Sequence, residues 1–399
     1  MSARLLISAL PGETRAARLE DGKLADLVIQ RADRPSLLGN LYHGRVVKLD
    51  KRLGAAFVEL GLAQAGLLPL SEGPGRRLSE GDAVVVKVLR EAAGDKGPRL
   101  TARIHAPPPD LEARIGQARP PALLFEGDDP IERLLAESRV PDEIVVDTPS
   151  LLARVKARLG ALSPERLRLD LAAAPLFERE GIEAQIEALL EPRVELPGGG
   201  HLLIEPVTTL TAVDVNSGGH DGRGGAADQA LAVDLEAAAE IPRQLRLRAL
   251  AGLILIDFLE LEDAGARRDV VAALRAGLKA DREPARVAAM APSGLVELTR
   301  RRGRPPLHEL LTEPCGLGGL GRVKDPATLA FEALRRARRE AALRPGTGLT
   351  LQAAPAVVAA LAKGPAAAAR ADLEQRLGRA VSLEETPAVP GEAAEVRLH

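Results

Sequence analysis

The most constraining feature of the sequence is a strand–helix–strand pattern between residues 209 and 258. Residues 209–215 are strand-like, residues 226–250 have helical periodicity, and residues 253–258 form a continuous apolar run. A helix that connects two strands of one sheet makes those strands parallel, with a right-handed crossover. The sequence therefore predicts an α/β domain here, with a glycine-rich connection at 217–225 ahead of the helix.

Both predicted strands carry an aspartate at or near the carboxyl end, Asp214 on the first and Asp257 on the second. Open parallel sheets place their ligand crevice at this edge. Two adjacent ionised carboxylates require a cation or a shared proton, and oxygen ligands favour magnesium or manganese over zinc. Asn216 falls on the same face as Asp214, where its amide would hold a water molecule or a phosphate oxygen. A single strand-end aspartate more often caps a turn, but two on successive strands favour a metal site.

The first hundred residues are predicted to be β-rich. Segments 4–10, 14–19 and 24–30 form a meander, and short strands continue from residue 37 to residue 105. This pattern predicts a small antiparallel barrel, for which the OB-fold is the natural candidate. The proline-rich segment 106–120 is predicted to be a linker.

Composition restricts how a polyanionic partner could bind. The chain has 54 Lys+Arg against 56 Asp+Glu, so only local basic patches supply positive potential. Six residues are aromatic, and Phe57 is predicted either to lie in the barrel core or to stack on a base. Arg90 and Lys96 supply charge in the barrel. Near the aspartates, Arg243 and Arg300 are candidates for phosphate contacts.

The single cysteine, Cys315, excludes an intrachain disulfide and cannot by itself build a zinc site. The apolar run at residues 5–10 is too short for a signal peptide. We therefore expect a cytoplasmic protein without a membrane segment.

The motifs around the aspartates resemble the catalytic domain of the ribonuclease E/G family. They read LTAVDVNS at Asp214, LEAAAEIPRQLRLR ahead of residue 249, and LILIDF at Asp257, and the resemblance runs from PGET at 11–14 to TEPC at 312–315. Members are single-strand-specific endoribonucleases. The resemblance implies that Asp214 and Asp257 bind magnesium, for which manganese can substitute, and that Asn216 belongs to the metal site. It also implies hydrolysis by an activated water, which leaves 5′-phosphate and 3′-hydroxyl ends.

The resemblance further implies RNA contacts through Phe57, Arg90 and Lys96, and a multi-domain α/β architecture. An OB-fold barrel is inserted into an RNase H-like subdomain, and a DNase I-like catalytic subdomain and a small C-terminal α+β region follow. The implied bounds are 1–36 and 121–192 for the RNase H-like subdomain, 37–105 for the barrel, 106–120 for the linker, 193–312 for the catalytic subdomain, 313–322 for a degenerate zinc-link segment and 323–399 for the C-terminal domain.

The sequence departs from the family pattern at three places. The linker 106–120 stands where longer members carry a sensor of the RNA 5′-monophosphate, so the family's preference for 5′-monophosphorylated RNA is not carried over to this chain and any 5′-end preference stays open. The family's zinc link takes two cysteines per chain, whereas Cys315 is followed by Gly-Leu-Gly. Zinc and a zinc-linked dimer of dimers are therefore not expected, and a homodimer without zinc stays open. Leu67 replaces a second aromatic residue, which weakens base stacking.

The expected function is thus a magnesium-dependent endoribonuclease that cleaves single-stranded RNA, in ribosomal RNA processing or messenger RNA decay. Two alternatives stay open: an RNA-binding protein with a vestigial metal site, and a nuclease that acts on DNA. The presence of Asp214, Asn216 and Asp257 together favours the nuclease over the binding protein, because a degenerate site has no chemical need for all three.

Overall fold

The computed structural model describes residues 2–75, 77–91, 96–105, 107–127, 130–135, 141–159, 164–172, 174–207, 209–218, 225–315, 321–387 and 394–399. The protein has a mixed α/β fold in two compact units. The larger comprises Met1–Arg34, Glu137–Arg301 and Pro306–His399, and the smaller comprises Pro35–Ala136 and Arg302–Pro305. No helix within the described ranges is long and apolar enough to cross a membrane.

The strands are numbered in chain order. They are β1 (Ala3–Leu10), β2 (Glu13–Glu20), β3 (Lys23–Arg31), β4 (Leu41–Asp50), β5 (Ala55–Glu59), β6 (Gly66–Pro69), β7 (Ala83–Arg90), β8 (Arg99–Thr101), β9 (Ala122–Phe125), β10 (Glu143–Val146), β11 (Leu167–Leu169), β12 (Arg193–Glu195), β13 (His201–Pro206), β14 (Thr211–Asn216), β15 (Gly252–Asp257), β16 (Ala285–Val287), β17 (Leu295–Arg300), β18 (Thr312–Pro314), β19 (Arg322–Lys324), β20 (Leu349–Ala353), β21 (Val381–Glu385) and β22 (Glu395–Leu398).

The helices are numbered in the same way. They are α1 (Leu111–Gln117), α2 (Pro130–Leu135), α3 (Pro149–Leu159), α4 (Leu176–Arg179), α5 (Ile182–Ala188), α6 (Ala226–Leu247), α7 (Ala264–Leu278), α8 (Leu307–Leu311), α9 (Pro326–Leu343), α10 (Pro355–Ala362) and α11 (Ala367–Leu377).

The smaller unit is built on a closed β-barrel. Strands β4, β5, β6, β8 and β7 pair in ring order, because β4 pairs with both β5 and β7. Alternate side chains of these strands fill the interior, among them Val46, Val58, Leu68, Val86 and Leu100. A closed barrel of five strands is consistent with the predicted OB-like fold.

The segment predicted to be a linker is partly ordered as secondary structure. Residues 111–117 form α1, and the following strand β9 pairs with β4 and extends the barrel sheet. Leu111 packs with Leu41 and Leu124 in a small apolar cluster. The prolines at 107–109 disfavour regular secondary structure just ahead of this helix. Residues 111–117 themselves contain no proline and are mostly helix-forming types, which explains why they form a helix.

The larger unit begins with a five-stranded sheet of order β11-β10-β1-β2-β3. The antiparallel meander predicted from the sequence is confirmed as β1, β2 and β3, and β10 and β11 join β1 in parallel. Leu6, Leu19 and Val145 of this sheet pack against Phe177 of α4 and Ile182 of α5. This packing places the two short helices on one face of the sheet.

The second sheet of the larger unit has the order β12-β13-β14-β15-β17-β16. The predicted strand–helix–strand unit is confirmed, since β14 and β15 are parallel neighbours joined through α6. Val213, Ile254 and Val296 of the sheet are buried with Val233 of α6 and Leu274 of α7. Alternate side chains of the same strands are exposed on the opposite face.

A proline inside a helix kinks or divides it; Pro242 lies inside α6, which runs undivided for 22 residues. The proline ring faces Gly277 of α7, where a Cβ atom would lie 2.8 Å from Cγ of the ring. Glycine at this position therefore leaves the space that the ring occupies between the two helices.

The C-terminal region has a three-stranded sheet, β21-β20-β22, whose buried side chains pack with those of α9, α10 and α11. The fully buried Arg31 of β3 connects it to the first sheet. Its Nη1 donates to Thr328 at 3.1 Å and to Asp325 at 3.3 Å, at the start of α9. Asp325 also accepts from the Thr328 amide as the N-cap of that helix.

Candidate active site

Asp214 and Asp257 are direct partners in the parallel ladder of β14 and β15. Their strands are adjacent, which corresponds to a separation of about 4.8 Å. Both side chains are exposed, because their neighbours Val213, Val215 and Ile256 turn into the core beneath α6 and α7. The strand alternation thus sets two carboxylates side by side on the open face of the sheet.

Asn216 completes the group predicted from the sequence. It lies two residues beyond Asp214 on the same strand face, and its Nδ2 donates to Oδ2 of Asp214 at 2.6 Å. This hydrogen bond orients the amide and leaves its Oδ1 as an acceptor pointing away from the shared contact. The three side chains form one cluster of oxygen ligands.

The donor set fits a hard cation better than zinc. Within the described ranges, no group of three or more His, Cys, Asp or Glu side chains forms a metal site, so the cluster offers two carboxylates and one amide. Magnesium is commonly held by one or two carboxylates with water filling the remaining positions, and the exposed location of Asp214 and Asp257 leaves room for water. Zinc prefers nitrogen and sulfur ligands.

Two glycines shape the backbone around the cluster. Gly218, with φ +58°, lies so close to the β12–β13 turn that a Cβ atom would be 2.4 Å from the Gly199 oxygen. Gly294, with φ +87°, approaches the residue after Asp257: its Cβ would be 2.2 Å from the Phe258 oxygen. Larger side chains at these positions would therefore displace the backbone next to the site. Residues 219–224 of the predicted glycine-rich connection lie outside the described residues.

A row of side chains crosses the outer surface of the barrel. Lys48, Phe57, Leu67, Arg99 and Arg90 follow one another as cross-strand partners on β4, β5, β6, β8 and β7. We call this set the barrel row. The three basic residues are exposed and the two apolar ones are half-buried, so the row combines positive charge with an apolar platform.

Phe57 is the aromatic member of the barrel row. The prediction left open whether it is core or surface, and the structure excludes it from the buried barrel core. The Lys48 ammonium lies 6.0 Å from its ring centroid. Four of the six aromatic residues are buried elsewhere, namely Tyr42, Phe177, Phe258 and Phe331. Phe57 is therefore the ring on the barrel row that a base could reach.

Arg90 and Lys96, the other predicted barrel contacts, are both exposed. Neither forms an ion pair within the part of the chain that the structure describes. Arg90 belongs to the barrel row, whereas Lys96 lies just ahead of β8. The Arg90 guanidinium and the Lys96 ammonium are thus both exposed to solvent, as a phosphate contact requires.

Comparisons with known proteins identify similar ribonucleases. The sequence model of the ribonuclease E/G family matches residues 106–303. Ribonuclease G of Salmonella typhimurium (strain SL1344) is 28% identical, over 97% of this chain and 98% of that protein. Ribonuclease G of Escherichia coli (strain K12) shows the same values. Ribonuclease E of Haemophilus influenzae is 29% identical over 85% of this chain and 46% of that protein.

The chain thus matches the ribonuclease E/G family model over residues 106–303 and is similar to ribonucleases G over almost its whole length. The family match includes the Asp214, Asn216 and Asp257 cluster. The barrel row lies ahead of the matched residues, in the part of the chain that the ribonuclease G alignments also cover. Both candidate surfaces therefore fall within the region shared with ribonucleases.

Arg243, which the sequence predicts to contact phosphate, has structural partners instead. Its Nε donates to the Leu24 carbonyl of β3 at 2.7 Å, and its Nη1 pairs with Glu240. Arg248, on the same segment, is buried and donates to the Glu191 carbonyl at 2.7 Å, and burial lowers its pKa to about 10. The arginine-rich end of α6 thus connects the two sheets of the larger unit.

Arg300 is likewise not brought to the predicted site. It is 7% exposed on the covered face of β17, opposite the face that carries Asp257. Its guanidinium donates to both carboxylate oxygens of Asp281 at 2.7 and 2.8 Å and to the Leu250 carbonyl at 2.8 Å. The sequence already indicated this burial. Arg300 lies two and four residues after Leu298 and Val296, so the three side chains share one face of the strand.

Three residues near the candidate surfaces were not predicted. His201 of β13 is the ladder partner of Asn216, and its Nδ1 is buried without a hydrogen-bond partner in the described structure. Asp234 of α6 contacts the backbone just after Asp257. Lys48 joins the barrel row through the β4–β5 pairing. Their roles depend on pairing between elements, which local sequence patterns do not specify.

Proposed function

We propose that the protein is a magnesium-dependent endoribonuclease that cleaves single-stranded RNA, with Asp214 and Asp257 as the metal ligands. The observation that carries this proposal is the ladder pairing of these two aspartates on the open face of a sheet, in a chain that matches the ribonuclease E/G family model. Manganese, which has the same preference for oxygen ligands, should substitute for magnesium.

The chain's own residues divide the chemical work. Asp214 and Asp257 hold the cation, and Asn216 is oriented by its bond to Asp214 so that its amide oxygen can position a water molecule or its amide group a phosphate oxygen. When bound, the cation supplies charge neutralisation at the phosphate and a more acidic water. No side chain has to act as a nucleophile, and hydrolysis on this plan leaves a 5′-phosphate and a 3′-hydroxyl.

We assign RNA binding to the barrel row together with Lys96. Phosphate contacts by Lys48, Arg90 and Arg99 position the strand, and Phe57 provides one ring on which a base can stack. Leu67 offers an apolar surface but no ring. Binding through this surface should therefore be sequence-tolerant and dependent on salt.

The finer assignments follow the family resemblance. The first sheet, with three antiparallel strands followed by two parallel ones, supports an RNase H-like subdomain, and the sheet that carries Asp214 and Asp257 supports a DNase I-like one. We also propose a role in ribosomal RNA processing or messenger RNA decay, a cytoplasmic location, no requirement for a 5′-monophosphate and, if the chain assembles, a zinc-free homodimer.

The proposal is tested by incubating labelled single-stranded RNA and single-stranded DNA of the same sequence with the protein, in magnesium or in EDTA. We expect cleavage of RNA alone, and only in magnesium, with 5′-phosphate product ends. RNA binding without cleavage would instead indicate a binding protein with a vestigial site, and cleavage of DNA would indicate a DNA-directed nuclease. Asp214→Asn serves as the inactive control, which excludes a contaminating nuclease.

A further inference from the structure

Asp234 is a completely buried carboxylate on the side of α6 that faces the second sheet. Its exposed fraction is 0%, and its neighbours Val233, Ala237 and Ala238 belong to the apolar core between that sheet and its helices. A carboxylate in such a place is costly unless its oxygens are used. Its position therefore calls for a structural or functional reason.

The Asp234 carboxylate holds the chain where it leaves β15. Oδ1 accepts a hydrogen bond from the Leu259 amide at 3.0 Å, two residues after Asp257. Oδ2 is buried and has no hydrogen-bond partner in the described part of the chain. Burial raises the pKa of Asp234 to about 7, which is the expected effect of a site that disfavours the charged form.

A second contact holds the same exit from the other side. The Phe258 amide donates to the Gly294 carbonyl at 3.3 Å, and Gly294 approaches the Phe258 backbone closely. The first amide after Asp257, that of Phe258, is thus bound by the loop that contains Gly294. The second, that of Leu259, is bound by Asp234 of α6 beneath the sheet. The direction of the backbone at Asp257 depends on both contacts.

We propose that Asp234 is a positioning residue for the metal ligand Asp257, which it holds in place by accepting the Leu259 amide with Oδ1. The inference rests on the proposed function, since it assigns a supporting partner to the same metal site. What the position requires is an oxygen acceptor at the right distance, not a negative charge. Partners that orient metal ligands typically change metal affinity or activity by about 10- to 100-fold when removed.

Three substitutions separate the acceptor from the charge. Asp234→Ala removes the acceptor, Asp234→Asn keeps it and removes the charge, and Asp234→Glu keeps the charge but moves the oxygen by one methylene. We expect Mn²⁺ binding to weaken about tenfold or more in Asp234→Ala and Asp234→Glu, and to stay within about twofold of the unsubstituted protein in Asp234→Asn. RNA cleavage rates at limiting metal should fall in the same order.

Binding is measured by titrating the full-length protein with Mn²⁺ and following the free ion by electron paramagnetic resonance, which reads metal binding without RNA. Asp147→Ala is the matched control. Asp147 is also a buried carboxylate at the end of a strand, where it accepts from the Ala9 amide at 3.0 Å and from the Ser8 hydroxyl at 2.6 Å, but it belongs to the first sheet. This control should lose stability and keep its Mn²⁺ affinity.

The outcomes are distinguishable. The positioning role is wrong if Asp234→Ala binds Mn²⁺ as tightly as the unsubstituted protein. It is also wrong if Asp234→Asn binds Mn²⁺ as weakly as Asp234→Glu. Should Asp234→Ala fail to fold, the comparison of Asp234→Asn with Asp234→Glu still decides between acceptor and charge. An unsubstituted protein that binds no Mn²⁺ overturns the proposed metal site as well, whereas normal binding and cleavage in all variants overturns only the inference.

Discussion

Asp214 and Asp257 face each other across two adjacent parallel strands, on the uncovered side of a sheet whose other side is packed under α6 and α7. Two neighbouring carboxylates repel each other unless a cation lies between them. Under the proposed metal assignment, the same pair destabilises the protein without a cation and supplies the carboxylates that would bind one.

This repulsion predicts how stability depends on the metal. In EDTA, Asp257→Asn should be as stable as the unsubstituted protein or more so, because it removes one of two like charges. Magnesium at about 100 times its dissociation constant should stabilise the unsubstituted protein by about 2.7 kcal/mol, and the variant far less. Thermal unfolding with and without magnesium measures both effects. Equal stabilisation of the two proteins would place the cation elsewhere.

The second prediction separates cleavage from RNA binding. Asp257→Asn should abolish RNA cleavage and leave RNA affinity nearly unchanged, since it removes a proposed metal ligand but no basic or aromatic contact. Glu297→Gln is the matched control, because Glu297 is an exposed carboxylate on the adjacent strand β17 of the same sheet. Gel-based cleavage and fluorescence anisotropy measure the two properties. Near-normal cleavage by Asp257→Asn would refute the active-site assignment.

The barrel row predicts opposite effects at neighbouring positions. Phe57→Ala should weaken RNA binding by about tenfold, since stacking on one ring contributes about 1–3 kcal/mol. Leu67→Phe should strengthen binding, because it adds a second ring next to Phe57. Phe125→Ala is the control: its ring packs on Arg114, 4.3 Å from the guanidinium carbon, outside the barrel row. Unchanged affinity in Phe57→Ala would remove the barrel row from the RNA surface.

The buried ion pair between Arg300 and Asp281 predicts that Arg300→Ala will lower the stability of the protein without lowering its RNA affinity. Arg300→Ala leaves Asp281, whose side chain is 1% exposed, as an unpaired buried charge, which costs about 3–5 kcal/mol. The adjacent Arg301→Ala should cost less than about 1 kcal/mol, because Arg301 is 58% exposed in its pair with Glu283. Urea unfolding at neutral pH compares the two variants. A stable Arg300→Ala variant with weakened RNA binding would restore the phosphate contact predicted from the sequence.

The pKa of Asp234 predicts a change of stability with pH. Burial raises it to about 7 in the folded protein, against about 3.9 in an unfolded chain. The folded state therefore binds more protons between these values, and the stability that this group contributes falls as the pH rises through that window. Asp234→Asn does not titrate, so its stability relative to the unsubstituted protein should rise by up to about 4 kcal/mol from about pH 4 to pH 8. Urea unfolding across this range measures it, and parallel profiles would contradict the shift.

Much of the candidate site followed from local sequence alone. The alternation of apolar residues around Asp214 and Asp257 fixes which side chains leave the core, and a helical crossover between two strands makes them parallel. The barrel strands were predicted for the same reason, since period-two alternation is a local signal. The helix at residues 111–117 was missed because nearby prolines dominated the interpretation of that segment.

The sequence by itself determined the strand–helix–strand unit, the positions of Asp214 and Asp257 at its strand ends and the β-rich character of the first hundred residues, because these depend on periodicity within single segments. Only the tertiary structure decided the fate of the basic side chains. Arg243 and Arg300 are bound to Leu24 and Asp281, which other elements bring to them. The barrel row likewise assembles residues from five strands. Local periodicity cannot specify such contacts, since the free energy of each arginine depends on partners that folding brings close from distant parts of the chain.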